Sequence, residues 1–87
     1  MNHDVKLGDR FQVNENYNHP PFLVEVGFAH EFQLKKDDLL TVTEEPFQRE
    51  TLFGNSRYVK VKFVREEDCC VGVVCCDELI ARATKLI

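Results

Sequence analysis

Between Arg57 and Val64 the chain alternates without a break, with Val59, Val61 and Phe63 on one side and Tyr58, Lys60 and Lys62 on the other. Successive side chains of an extended chain point to opposite faces, so a period of two marks a strand with one buried and one wet face. Arg65, Glu66, Glu67 and Asp68 follow as a polar turn, and Cys69 to Cys76 returns with Val71, Val73 and Val74. Tyr58 to Cys76 is therefore predicted to be an antiparallel hairpin. Everything else the chain folds into has to pack against the apolar side of that hairpin.

The rest of the sequence agrees with a β-rich partner for it. Eleven Val and seven Phe stand against three Ala, a bias toward residues that suit a pleated, half-buried surface and away from a helical bundle. Leu7, Gly8 and Asp9 lead into a short strand with Phe11 and Val13 on one face. Asn14 to Pro21 reads as the longest loop, since three Asn and two Pro supply turn geometry and remove two backbone donors. Phe22 to Phe28 reads as a second strand with Phe22, Val24 and Val26 on one face. Glu31 to Glu45 holds two strand-like pieces around the charged turn Lys35-Lys36-Asp37-Asp38, the second of them Leu39 to Glu44, ended by Pro46. Phe47 to Ser56 reads as a loop or irregular edge.

From Asp77 two outcomes are open. Asp77 is an N-cap type residue, Leu79, Ala83 and Leu86 have helical spacing, and Glu78 with Arg82 would form an i, i+4 pair, which favours a short C-terminal helix. Ile80, Arg82, Thr84 and Leu86 also alternate, so one helical turn followed by a closing strand is the competing outcome; both bury Leu86. About five short strands separated by polar turns predict a mainly β fold. The expected form is a small, strongly bent antiparallel sheet or an SH3-like barrel, with the helix or helical turn at the end.

The chain has 87 residues, 44% hydrophobic and 30% charged, without repeats or linker-like tracts, which predicts one globular domain over residues 1–87. At that size folding buries roughly 60 to 65% of the unfolded surface, enough for a core that needs neither disulfide nor metal. A net charge of -4 opposes general affinity for nucleic acid or anionic membranes. No apolar run approaches the ~20 residues of a membrane span, and Met-Asn-His-Asp lacks a signal-peptide pattern, so a cytoplasmic protein with no membrane partner is expected.

Four features carry candidate chemistry. Cys69, Cys70, Cys75 and Cys76 form two adjacent pairs; on one strand adjacent cysteines face opposite ways, and Cys69 to Cys75 spans about 20 Å. That spread fits neither four thiolates on one zinc nor a disulfide along the strand; His3, His19 and His30 could complete a partial site only through the fold, and nothing in their spacing asks for it. Buried small hydrophobes in a core strand are the simpler expectation, with one face of cysteines partly exposed and open to a covering partner. No metal or cofactor is expected.

Arg57, Tyr58, Lys60 and Lys62 put aromatic and basic groups along one strand, the pattern with which small barrels stack bases and track phosphates. The plainer alternative is a solvated hairpin face neutralised by Glu66, Glu67 and Asp68. Asp37, Asp38, Glu44, Glu45 and Glu50 make an acidic segment that could occupy the basic groove of another protein, or serve only solubility. Tyr17, His19 and Phe22, with Pro20 and Pro21, place aromatic surface on a loop that either meets a partner or folds back as a lid.

There is no Gly-rich phosphate loop, G-x-S-x-G, H-E-x-x-H, Cys-x-x-Cys or EF-hand loop. The expectation is a non-enzymatic protein–protein interaction module, a small accessory or inhibitor protein of phage or mobile-element type acting through its acidic surface. The alternative is a nucleic-acid-binding barrel using Arg57, Tyr58, Lys60 and Lys62. Two copies could also pair through an open sheet edge at Leu39 to Glu44 or at the C-terminus.

Overall fold

The 57–64 alternation is realised in full: Val59, Val61 and Phe63 are buried while Lys62 and Val64 on the opposite phase are exposed. The computed structural model describes residues 5–27, 30–52 and 54–86. Its strands are β1 (Arg10–Val13), β2 (Leu23–Glu25), β3 (Glu31–Gln33), β4 (Leu39–Val42), β5 (Phe47–Thr51), β6 (Gly54–Arg65), β7 (Asp68–Cys75) and β8 (Ala83–Leu86), with helix α1 (Cys76–Arg82) before β8. All pairings are antiparallel, in the order β3-β2-β7-β6-β4-β1-β8, with β5 attached to β6. The fold is mainly β, as expected, but it is an open sheet of eight strands where about five strands and a barrel were foreseen. Among the described residues the end strands β3 and β8 do not pair, so the path does not close.

The predicted hairpin is β6–β7, in register from Tyr58↔Cys75 to Arg65↔Asp68. Glu66 and Glu67 form its two-residue turn with φ of 53° and 69°, the left-handed pair that matches the twist of a tight hairpin. Phe47 to Ser56, foreseen as a loop, is a second hairpin: β5 pairs with β6 from Phe47↔Tyr58 to Thr51↔Gly54. Its polar side chains lack an apolar phase, which is why alternation did not reveal it, and Phe53 lies outside the described residues. Of the strand foreseen over Phe22 to Phe28, only Leu23–Glu25 is strand, although Phe22 and Val24 are buried and Val26 packs on the core as anticipated; Phe28 lies outside the described residues.

The charged turn at 35–38 forms as expected. Asp38 N–H donates to the Lys35 carbonyl at 3.0 Å and its carboxylate accepts the Lys35 N–H at 2.7 Å, while Asp37 takes a φ of 72°. The C-terminus combines the two outcomes left open. A two-turn helix buries Cys76 and Leu79, then β8 closes against β1 with Ala83 buried and Leu86 half-buried. Helix α1 starts two residues earlier than an N-cap at Asp77 predicts, with Cys75 at the N-cap and Asp77 and Glu78 in the first turn, where carboxylates favour the amide ends.

The foreseen Glu78–Arg82 pair does not form. Arg82 instead donates to the Pro20 carbonyl at 2.6 Å and lies 4.9 Å from the Tyr17 ring, pinning the 14–21 loop to the helix. Among the described residues fifteen hydrophobic side chains close the core, from Val5 through Phe22, Leu34, Leu40 and Phe63 to Ala83, and no buried polar side chain interrupts it. Each large side chain withdrawn from water contributes about 1.5–3 kcal/mol.

Candidate functional site

The side chains of one phase face this core, and those of the other phase form an outer face whose composition the registers define. On β6 and β7 the outer pairs are Tyr58↔Cys75, Lys60↔Val73, Lys62↔Val71 and Val64↔Cys69. On the far side of β6 the register Thr41↔Lys62 brings Thr41 and, two residues earlier, Leu39 onto the same face. Leu39 is 57%, Val64 62% and Val71 47% exposed, so this end of the outer face carries an apolar strip with exposed Cys69 beside it. Val64 is an apolar residue in the polar phase of β6, and that mismatch is the sequence signal which could have found the strip; Val71 stands in a phase of β7 made only of Cys and Val, and Leu39 needed the β4–β6 register.

The other end of the outer face is packed by its own side chains. Phe47 and Tyr58 stack with ring centroids 6.5 Å apart, and the Arg49 guanidinium lies 4.5 Å from the Tyr58 ring. Glu25 holds that guanidinium at 2.6 Å, and the Glu25↔Val73 pairing seats Glu25 next to β7. Beside this cluster Leu23, Glu25, Glu31, Tyr58, Val73, Cys75 and Glu78 line a shallow depression of about 250 Å³.

The basic and aromatic set foreseen on β6 is divided by this arrangement. Tyr58, Lys60 and Lys62 do share a face, but Arg57 belongs to the opposite phase and its charge acts on the Cys76 thiol. Tyr58 is half-buried under Arg49, and Lys60 is paired with Glu44 at 3.0 Å.

The acidic set is dispersed. Asp37 and Asp38 sit in the β3–β4 turn, where Arg65 takes Asp38 at 2.9 Å and the Gln12 amide donates to Asp37 at 3.3 Å. Glu44 and Glu45 follow β4, and Glu50 stands on β5 opposite Asn55. Asn55 and Arg65 lie at the two ends of β6, about 33 Å apart along a straight strand. These five acids therefore do not make one face.

In the loop, Phe22 is fully buried, Tyr17 is half-buried edge-on against it at 6.4 Å, and His19 is exposed. The loop folds back onto the body of the domain, so Phe22 offers a partner no surface.

The cysteines are free thiols. Cys69 and Cys75 lie on the outer face, Cys70 packs on the core opposite Phe63, and Cys76 is buried in α1. Burial pushes the Cys76 thiol above its ordinary value, opposed by Arg57 and reinforced by Cys75 and Asp77. Among the described residues no three His, Cys, Asp or Glu side chains converge on a metal position, and His3 lies outside them.

The edge foreseen at Leu39 to Glu44 is occupied: β4 lies between β6 and β1. The C-terminal strand β8 is an edge, as anticipated. No helix among the described residues is long and apolar enough to cross a membrane. Compared with known proteins, the chain matches no family model, no curated protein and no solved structure.

Proposed function

We propose that this is a non-enzymatic protein–protein interaction module, a small accessory or inhibitor protein, whose contact surface is the outer face of the sheet around Leu39, Val64 and Val71. The observation that carries it is the exposure of those three apolar side chains on adjacent strands while the core is filled without them. A contiguous apolar patch rimmed by polar residues is how docking surfaces differ from ordinary surface, where apolar side chains are scattered singly. The module belongs in the cytoplasm on this reading, where a reducing environment keeps Cys69 and Cys75 as thiols.

Capture from nuclease-treated extract of the source cells tests the proposal. A stoichiometric protein partner is expected with the wild-type chain and not with Leu39→Asp or Val64→Asp. Retention of the same partner by both variants, or the absence of any, counts against it.

A further inference from the structure

Across the outer face Arg10 of β1 pairs with Thr41 of β4, Thr41 with Lys62 of β6, and Lys62 with Val71 of β7. The four side chains form one row, directly next to the row that carries Leu39, Val64 and Cys69. Arg10 and Lys62 stand two strand spacings apart, about 10 Å, on either side of Thr41. Both are exposed, and among the described residues neither forms an ion pair or a side-chain hydrogen bond. In contrast, Arg49, Lys60, Arg65 and Lys85 each meet a carboxylate. In a chain of net charge -4, two uncompensated cations bracketing a hydroxyl beside an apolar strip are complementary to negative charge supplied from outside.

From this complementarity we infer that the outer face receives an acidic, apolar segment of a partner protein. Its apolar side chains cover Leu39, Val64 and Val71, and its carboxylates meet Arg10, Lys62 and the Thr41 hydroxyl. The inference rests on the docking role proposed above and names the chemistry of the partner. A nucleic acid fits the same face less well, because single strands need stacking platforms and a run of free cations. Here the Tyr58 ring carries Arg49, and Lys60 is neutralised by Glu44.

The test is an amide NMR titration of the full chain with three probes: two synthetic peptides sharing Leu and Phe positions, with Glu or Lys at all others, and a single-stranded oligonucleotide. The Glu peptide should shift the amides of Arg10, Leu39, Thr41, Lys62, Val64 and Val71. Its affinity should fall about tenfold or more, at least 1.4 kcal/mol, in Arg10→Gln with Lys62→Gln. These positions are exposed, and an unchanged unfolding midpoint shows that the double variant is folded.

Equal binding of the Lys peptide through the same amides overturns the acidic assignment and leaves the docking surface standing. Oligonucleotide binding at this face, or shifts at these amides on simple dilution without a peptide, overturns the inference in favour of nucleic acid or a second copy. No shift with either peptide overturns it too. If partner capture is also indifferent to Val64→Asp, the docking role falls with it.

Discussion

The Arg65 guanidinium grips the Asp38 carboxylate through two contacts, Nη2 to Oδ2 at 2.9 Å and Nη1 to Oδ1 at 3.3 Å, with both side chains only 20% exposed. Arg65 ends β6 and Asp38 closes the β3–β4 turn, so the pair fastens the end of the long hairpin to the start of β4 next to Leu39. Nη2 also donates to the Gln33 carbonyl at 3.2 Å. Forked, partly buried arrangements of this kind are the strong class of hydrogen bond. Arg65→Ala is predicted to cost about 1.5–3 kcal/mol in urea unfolding. Asp38→Ala should cost more, because it also removes the acceptor for the Lys35 N–H. A loss below about 0.5 kcal/mol for both would mean that the pair holds nothing in place.

The β6–β7 turn departs from the residues its geometry favours. Glu66 and Glu67 both have positive φ, where side chains with a Cβ are strained and Asn-Gly is the preferred pair. Replacing them by Asn and Gly should raise stability by about 1 kcal/mol without moving the register. Unchanged or lower stability in thermal unfolding would show that the turn is formed differently.

Gly72 is the place where β2 lies closest on β7. A Cβ built there would stand 2.5 Å from the Val24 Cγ2 atom and 2.7 Å from the Glu25 carbonyl oxygen. Gly72→Ala should therefore push β2 away and destabilise by about 1–3 kcal/mol. Amide exchange in residues 23–33 should rise with it, because β2 is the strand that ties β3 to the sheet. Wild-type exchange in that segment would refute the close approach.

The four thiols should separate by reactivity. Cys69 is exposed, whereas burial holds Cys76 protonated above its ordinary range. Iodoacetamide at mildly alkaline pH should label Cys69 first and Cys76 only on unfolding. In the unfolded chain the Cys76 thiol ionises at its ordinary value, while the folded chain keeps its proton to higher pH. The stability this group contributes is thus present below the ordinary value and is lost as pH rises through it toward the folded value. Cys76→Ser, whose hydroxyl does not ionise in this range, should flatten the alkaline fall in stability. An identical fall in both proteins would place the cause elsewhere.

The parts of the fold that were legible in the sequence are those where burial imposes a period. β6, Phe11 with Val13, and Phe22 with Val24 and Val26 announced their buried phase, and the 35–38 turn announced itself by charge; β7 announced a strand but, with Cys and Val on both of its faces, not which face is buried. β5 was hidden because Phe47–Thr51 pairs with β6 while burying nothing, so its strand state comes from the neighbouring backbone. The helix and β8 were foreseen as alternatives because Leu79, Ala83 and Leu86 have helical spacing while Ile80, Arg82, Thr84 and Leu86 alternate; the chain uses a helix over Cys76–Arg82 and a strand over Ala83–Leu86. The dispersal of the acids was invisible for a related reason. Glu44 and Glu50 are close in sequence to Asp38, but the chain after β4 sets Glu44 against Lys60 midway along β6, and β5 sets Glu50 opposite Asn55 at its far end.

The most direct test of the account compares two positions on that strand system. A benzoylphenylalanine introduced in place of Val71 samples the apolar strip, and one in place of Glu50 samples the distant β5–β6 hairpin. Irradiation in source-cell extract is predicted to give one defined protein adduct from position 71 and none from position 50. Adducts from position 50 with none from position 71 would contradict the outer face as the docking surface and return the function to the acidic segment.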